Sequence, residues 1–464
     1  DQIASVFSLC VAKNPQKYIA YMDIFWESEI SKEYIYALIR GISENIRYRF
    51  GRLQKPAEVE FTEPFLDGET LAEVLLGWFD KYPHLLENGY TSSQALYAIS
   101  YVIERNDLQK KLIDYFIKMS GHPDPEKVEQ EILSQDKKGM NKDDRIHISI
   151  NSVRGHIAEG VKTLVGRLLE KEKEVPEELY ILLEQFAADP VEAVRIHVLE
   201  LLPFLEYKKP GKGWVLFRKA FEKAHPALWP HAYRFLYYQY KEYFDRVSPV
   251  LEQIKTEGGK HGAEPWGLIS ALCFLDNLII IESLIVQLNE FNQEDAWSGA
   301  VRGFISNLKT PDLRNQCLKG LIALINNEAF PVNLLNTIER VFEQIPISDD
   351  ESIRDFLDLF LDKIPLSDGL RRSDHFFNYL SNISDIYPEW CMKIVEKYLK
   401  SISDKIPPRM WKVEGLVTAT IQLLRWADTE DNQGLIERVI TLQDRLLELG
   451  WPGIDEAIAR AERE

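Results

Sequence analysis

Apolar side chains return at intervals of three and four along nearly the whole chain, the spacing that lines one face of an α-helix. The stretch 175–206 carries the pattern most cleanly. Pro176 followed by Glu177 and Glu178 predicts a helix start, because proline lacks an amide that the first turn would leave unpaired and carboxylates suit the positive helix end. Leu179, Leu182, Leu183 and Phe186 then share a face. Asp189 and Pro190 break the helix, and a second one carries Val194, Val198, Leu201, Leu202 and Leu205. The predicted unit is two helices joined by a tight turn, with Val194 and Leu201 inside it. Strand signals are scarce, and only 59–65 reads as extended.

The second helix of that pair opens Asp189-Pro190-Val191-Glu192-Ala193-Val194-Arg195, a pattern that resembles HEAT repeats. Related openings recur at Val153-Arg154, Tyr233-Arg234, Val301-Arg302, Leu313-Arg314 and Ile353-Arg354. The spacing is 41 residues from Arg154 to Arg195, 39 from Arg195 to Arg234 and 40 from Arg314 to Arg354. Stacked helix pairs have a period of about 40 to 47 residues. An apolar stripe such as Leu313, Cys317, Leu321, Leu324 follows these arginines, so chance scatter is the poorer explanation. The expectation is an all-α fold, a solenoid of HEAT-like helix pairs wound as an α-α superhelix. The arginines are then structural, each pairing with an acidic group of its own or an adjacent repeat. The pattern fades at both ends, which divides the chain into an atypical N-terminal helical region over 1–140, HEAT-like repeats over 141–400 and capping helices over 401–464. Lys208-Lys209-Pro210-Gly211-Lys212-Gly213 and Glu257-Gly258-Gly259-Lys260-His261-Gly262 read as flexible loops. Tetratricopeptide and ankyrin signatures are absent.

Composition narrows the partners. Apolar residues make up 45% of 464, ample core-forming material for a water-soluble chain. The most apolar stretch, 268–288, is interrupted by Asp276, Asn277 and Glu282, so it falls short of the roughly 18 uncharged residues of a membrane span. A formal net charge of −18 repels phosphate backbones, which disfavours nucleic acid as a partner. Cys10, Cys273, Cys317 and Cys391 are too scattered for a disulfide framework and suit reduced thiols in a cytoplasm. The chain opens on Asp1 and its periodicity begins at once with Ile3, Val6 and Phe7, without the plan of a signal peptide. That predicts a piece of a longer chain, continuous with further N-terminal domains.

Candidate chemistry is sparse at this level. Phosphate binding needs a glycine-rich loop followed by lysine and a hydroxyl residue. Gly258-Gly259-Lys260 leads instead to His261, and Gly211-Lys212-Gly213 to Trp214, so no nucleotide cofactor is expected. Metal binding calls for convergent ligands such as two histidines one helical turn apart. The nearest approach is His225 with His231, across Pro226 and Pro230, so no metal site is expected either. No nucleophile elbow is present, and the chain reads as a binding domain instead of an enzyme.

The densest signal lies between Trp214 and Phe244, where 11 of 31 residues are aromatic. At about 100° per residue Tyr233, Tyr237, Tyr240 and Phe244 form one stripe while Phe235 and Tyr238 point almost oppositely. One stripe packs into a core; the second needs a neighbouring repeat or a partner. Tyrosine is favoured at interfaces because it buries a large area at small entropy cost. Phe235 and Tyr238 are therefore the candidate partner-binding rings, with Lys208, Lys209 and Lys212 as a positive rim that would steer an acidic protein.

Asn151-Ser152-Val153-Arg154-Gly155-His156-Ile157-Ala158-Glu159-Gly160, followed by Asp189-Pro190 and Val194-Arg195, resembles the C-terminal helical-repeat regions of bacterial STAND-type NTPases of the Avs kind. These are antiviral defence proteins related in design to NLR immune receptors. The resemblance covers about 140–245 and implies a helical sensor that grips a viral protein, preceded in the family by an effector and a nucleotide-binding module. Neither of those occurs in this sequence. The leading expectation is therefore the ligand-sensing domain of a defence protein, with a phage protein as partner. A general scaffold or adaptor in a cytoplasmic complex is the alternative, and a helical enzyme is the third reading, to be recognised by a pocket of convergent ionisable residues.

Overall fold

The computed structural model describes residues 2–125, 151–346, 351–363, 374–401, 414–448 and 459, apart from positions 29, 52, 58, 64, 224, 225 and 431. Among these the regular elements are helices, and no strand occurs. The segment expected to be extended becomes an irregular connection, held by the buried Val59 and by the Thr62 amide donating to the Lys13 carbonyl over 3.1 Å. The chain divides into two compact units, 1–238 and 239–464. That division falls inside the expected 141–400 segment. The expected boundary at 140/141 lies outside the described residues, and the one at 400/401 falls at the end of a helix.

In unit 1 the helices are α1 (Gln2–Lys13), α2 (Pro15–Tyr18), α3 (Tyr21–Glu27), α4 (Lys32–Phe50), α5 (Gly68–Lys81), α6 (Gly89–Ile99), α7 (Asn106–Ser120), α8 (Val153–Glu170), α9 (Glu177–Ala187), α10 (Glu192–Lys208) and α11 (Lys212–Phe221). A twelfth, α12 (Trp229–Gln239), closes it. Helices α4, α6, α8 and α10 pack in series as one layer, and α5, α7, α9 and α11 as the other. Successive helices thus alternate between layers. Apolar stripes three and four residues apart meet between them, and Val194 and Leu201 are buried as the periodicity requires.

Arginines near the starts of α8 and α10 join neighbouring pairs. Arg154 donates from Nε and Nη2 to the two carboxylate oxygens of Asp189 at 2.9 and 3.0 Å, and from Nη1 to the His122 carbonyl at 2.7 Å. Asp189 sits in the α9–α10 turn and also accepts from the Val191 amide. Arg195, in the next helix of the same layer, donates from Nε to the Asp189 carbonyl and from Nη1 to the carbonyls of Ala220 and Lys223, at 2.9 Å each for the last two. Both side chains are buried. The two arginines hold the same place in the sequence motif, the second residue of α8 and the fourth of α10, but differ in acceptor: a carboxylate for Arg154, carbonyl oxygens for the described bonds of Arg195.

Unit 2 holds α13 (Phe244–Glu257), α14 (Gly259–Leu275), α15 (Ile281–Phe291), α16 (Glu294–Asn307), α17 (Pro311–Asn326), α18 (Leu335–Ile338), α19 (Glu351–Lys363), α20 (Asp374–Ile383), α21 (Pro388–Ser401), α22 (Glu414–Thr429) and α23 (Gln433–Glu448). Here α15, α17, α19, α21 and α23 pack in series, while α14 lies on α16 and α20 on α22. A Cβ at Gly267 would strike the Ala296 carbonyl oxygen, and one at Gly299 the Glu264 carbonyl oxygen, so glycine is what lets α14 and α16 touch backbone to backbone. Arg302 pairs with Glu264, Arg314 donates to the Leu308 carbonyl at 3.4 Å, and Arg354 lies over the Tyr387 ring. The Arg314 bond spans six residues, as does the Arg195 bond to Asp189, so this local turn recurs in both units.

Both expected flexible loops are built structure. Gly258 alone separates α13 from α14, and Gly259 at φ +50° makes the change of direction that only glycine takes without strain. At 208–213 the buried Glu206 carboxylate accepts the amides of Gly211 and Gly213 at 2.7 and 2.8 Å and caps the start of α11. Among the described residues no helix is long and apolar enough to cross a membrane.

Candidate functional site

Helices α8 and α10 open with the same seven-residue pattern. Val153-Arg154-Gly155-His156-Ile157-Ala158-Glu159 and Val194-Arg195-Ile196-His197-Val198-Leu199-Glu200 both read V-R-x-H-x-x-E, displaced by 41 residues. Histidine and glutamate three positions apart share a helix face, one turn beyond the structural arginine. Ser152 fixes the start of α8, its hydroxyl accepting the Gly155 amide at 3.2 Å. Because α8 and α10 are layer neighbours, the two faces meet.

At their junction His197 Nδ1 lies 2.5 Å from Glu159 Oε2. Lys162 Nζ lies 2.6 Å from the same oxygen and 2.7 Å from Glu200 Oε2, bridging the two carboxylates. One donor atom each from Glu159, His197 and Glu200 fall within 4.8 Å of one another. The Tyr97 hydroxyl stands 3.4 Å from Glu159 Oε1, and the Arg47 guanidinium covers the Tyr97 ring at 5.3 Å. His156 turns its Nδ1 to the Ser93 hydroxyl at 3.0 Å. Apart from Ser93, these groups line a cleft of about 340 Å³ together with Tyr90, Gln94 and Asn151.

Electrostatics follows from burial and pairing. Burial alone would raise the Glu159 carboxyl, but His197 and Lys162 outweigh it and hold the group well below the usual carboxylate range. Burial would likewise lower the Lys162 ammonium, and Glu159 and Glu200 outweigh it and raise it. Burial, then Glu159 and Tyr101, push the Tyr97 hydroxyl up. The cleft presents the carboxylates of Glu159 and Glu200, the His197 imidazole and, between the carboxylates, the Lys162 ammonium.

Comparison with known proteins found no matching family model, curated protein or solved structure. The geometry stands on its own.

Sequence reasoning missed this cluster because it looked for two histidines on one helix. The donors are one histidine and two glutamates from two helices, and the signal that reveals them is the tandem V-R-x-H-x-x-E. The expected partner-binding residues lie elsewhere in unit 1. Phe235 is fully buried, 5.0 Å from the Trp214 ring and stacked on Phe217 at 5.1 Å, so it is a core residue and not an exposed ring. The buried arc of α12 runs through Trp229, Ala232, Phe235 and Leu236, opposite the expected inward stripe, because α11 presents an aromatic face to it. Tyr238 is 58% exposed and Tyr237 43%, their rings edge-on at 5.3 Å. Lys208 lies 3.7 Å from Glu172 and over the exposed Tyr207 ring, Lys212 lies 4.6 Å over Tyr180, and Lys209 is exposed. Lys209, Tyr207, Tyr237 and Tyr238 are exposed, whereas Phe235 belongs to the core.

Cys273, Cys317 and Cys391 are buried, which pushes each thiol up to about 12 and keeps it protonated near neutrality.

Proposed function

We propose that this chain is a solenoid of HEAT-like helix pairs that binds a protein, and that it serves as the ligand-sensing part of a larger bacterial antiviral defence NTPase. The observation that carries the repeat reading is the pair of equivalent rungs, Arg154 to Asp189 and Arg195 to the carbonyls of Ala220 and Lys223. Bonds made from the same motif position in successive pairs are what a repeat array would show, since each pair touches only its neighbours. Such arrays offer long surfaces on which many shallow contacts add up to specificity.

On this reading the partner is a phage protein with an acidic face, met in the cytoplasm. Lys208, Lys209 and Lys212 raise its encounter rate in an otherwise acidic chain, and Tyr237 and Tyr238 supply buried ring area once it docks. No cofactor enters, and the strong negative charge disfavours nucleic acid.

The test is to titrate individually purified phage proteins against the full chain by calorimetry. The reading expects saturable binding by at least one, weakened about tenfold or more in a Tyr237→Ala, Tyr238→Ala variant whose melting temperature is unchanged. Equal affinity of parent and variant would remove the tyrosines from the interface. Failure of every phage protein to bind would remove the sensor role.

A further inference from the structure

We propose that Glu159, His197 and Glu200 form a binding site for a divalent transition-metal ion, zinc or a near neighbour, whose place is held by the Lys162 ammonium until the metal displaces it. The donor set is the first reason. An imidazole nitrogen and two carboxylate oxygens are borderline-to-hard ligands that suit zinc, cobalt, iron and manganese. They come from adjacent helices of one layer, which is a rigid frame. The His197 side chain is only 4% exposed, so its ring is held facing Glu159 and is not a solvated surface group.

The second reason is that a cation is already required there. Lys162 sits between the two carboxylates at 2.6 and 2.7 Å with its side chain 20% exposed, so its flexible stem has a path to water. Its removal leaves two facing negative charges that a doubly charged ion neutralises without residual charge. The exchange balances simply. The ion enters and the ammonium leaves for solvent still protonated. Any hydrogen on His197 Nδ1 leaves it as the metal binds, for Nε2 of the ring or, if both nitrogens carried one, for solvent. Metal–ligand bonds of about 2.0 to 2.2 Å require donors roughly 3.3 to 3.6 Å apart in a tetrahedral site. The observed donors, within 4.8 Å, reach that by rotation of the two glutamates.

The third reason is access. Three protein ligands leave one coordination position, and the site lines the 340 Å³ cleft through which water or a partner's donor atom would reach it. The Tyr97 hydroxyl beside Glu159 supplies the outer support that ligating carboxylates commonly have.

The experiment is titration of the full chain with cobalt and with zinc near neutral pH, followed by visible absorption and calorimetry. The expectation is one equivalent bound with a nitrogen–oxygen spectrum and no thiolate charge-transfer band, which sets the site apart from the four cysteines. Glu200→Gln and His197→Gln should each weaken binding by about tenfold or more, and Lys162→Gln should tighten it by about tenfold. Glu200 is the most exposed ligand, and the glutamine is nearly isosteric, so that variant carries the test if His197→Gln fails to fold. The proposal is overturned if neither the parent nor Lys162→Gln binds zinc with a dissociation constant below about 1 mM. A thiolate spectrum, or unchanged affinity in Glu200→Gln, would overturn it equally.

Discussion

Replacing Asp189 by asparagine keeps the shape of the side chain and an oxygen for the Val191 amide, but it removes the charge that Arg154 grips. Both partners are close to fully buried, with side chains 6% and 5% exposed, and the guanidinium makes a two-point fork at 2.9 and 3.0 Å. In Asp189→Asn the Arg154 charge stays inside with only neutral acceptors among the described bonds, the His122 carbonyl and the asparagine oxygen. Breaking a buried pair by removing one partner costs about 3 to 5 kcal/mol, because an uncompensated charge remains. A half-exposed pair such as Lys219 with Glu184 is worth about 0 to 1 kcal/mol, so Glu184→Gln is the control. The assay is urea unfolding followed by tryptophan fluorescence, since Trp214 and Trp229 report on unit 1. Arg154→Met combined with Asp189→Asn should lose less than Asp189→Asn alone, because no buried charge is then stranded. A loss below about 1 kcal/mol in Asp189→Asn would place this pair with ordinary surface contacts and refute its role as a rung.

Phe235→Ala should cost about 3 to 5 kcal/mol of stability whether or not a partner is present, while Tyr238→Ala should stay within about 0.5 kcal/mol; the reverse order in thermal melts would put the faces of α12 the other way round. The Glu159 carboxyl is depressed below its ordinary 4.5, so its contribution is fully present above that value and is lost as pH falls from 4.5 toward the folded value. Acid unfolding of the parent should therefore be steeper below about pH 4.5 than that of Glu159→Gln, and equal slopes would contradict the pairing. Calorimetry with ATP and magnesium should show no binding, and micromolar affinity that depends on Lys212 or Lys260 would overturn this.

The helix pair over 175–206 was legible because a single period of three and four fixes which residues meet, and Val194 and Leu201 lie where that period puts them. The arginine spacing was legible too, though not what each arginine would hold. Arg154 finds a carboxylate, whereas Arg195 donates to carbonyls at the end of a helix pair that the sequence does not place. The inward face of α12 was not legible, because both its stripes are aromatic. Ring area alone does not choose between them, and the choice fell to Trp214 and Phe217 on the neighbouring helix. Glycines at 258 and 259 read as a loop, yet one of them serves a sharp junction between two helices. The Glu159, His197 and Glu200 cluster escaped because its members come from two helices: Glu159 and His197 are brought together by the packing of α8 on α10.

The most direct test of the proposed recognition surface is hydrogen–deuterium exchange of the full chain with and without a candidate phage protein. The account predicts slowed exchange over 207–238, around Tyr207, the lysine rim and Tyr237–Tyr238. A footprint that leaves that stretch unchanged and falls elsewhere on the chain would contradict it.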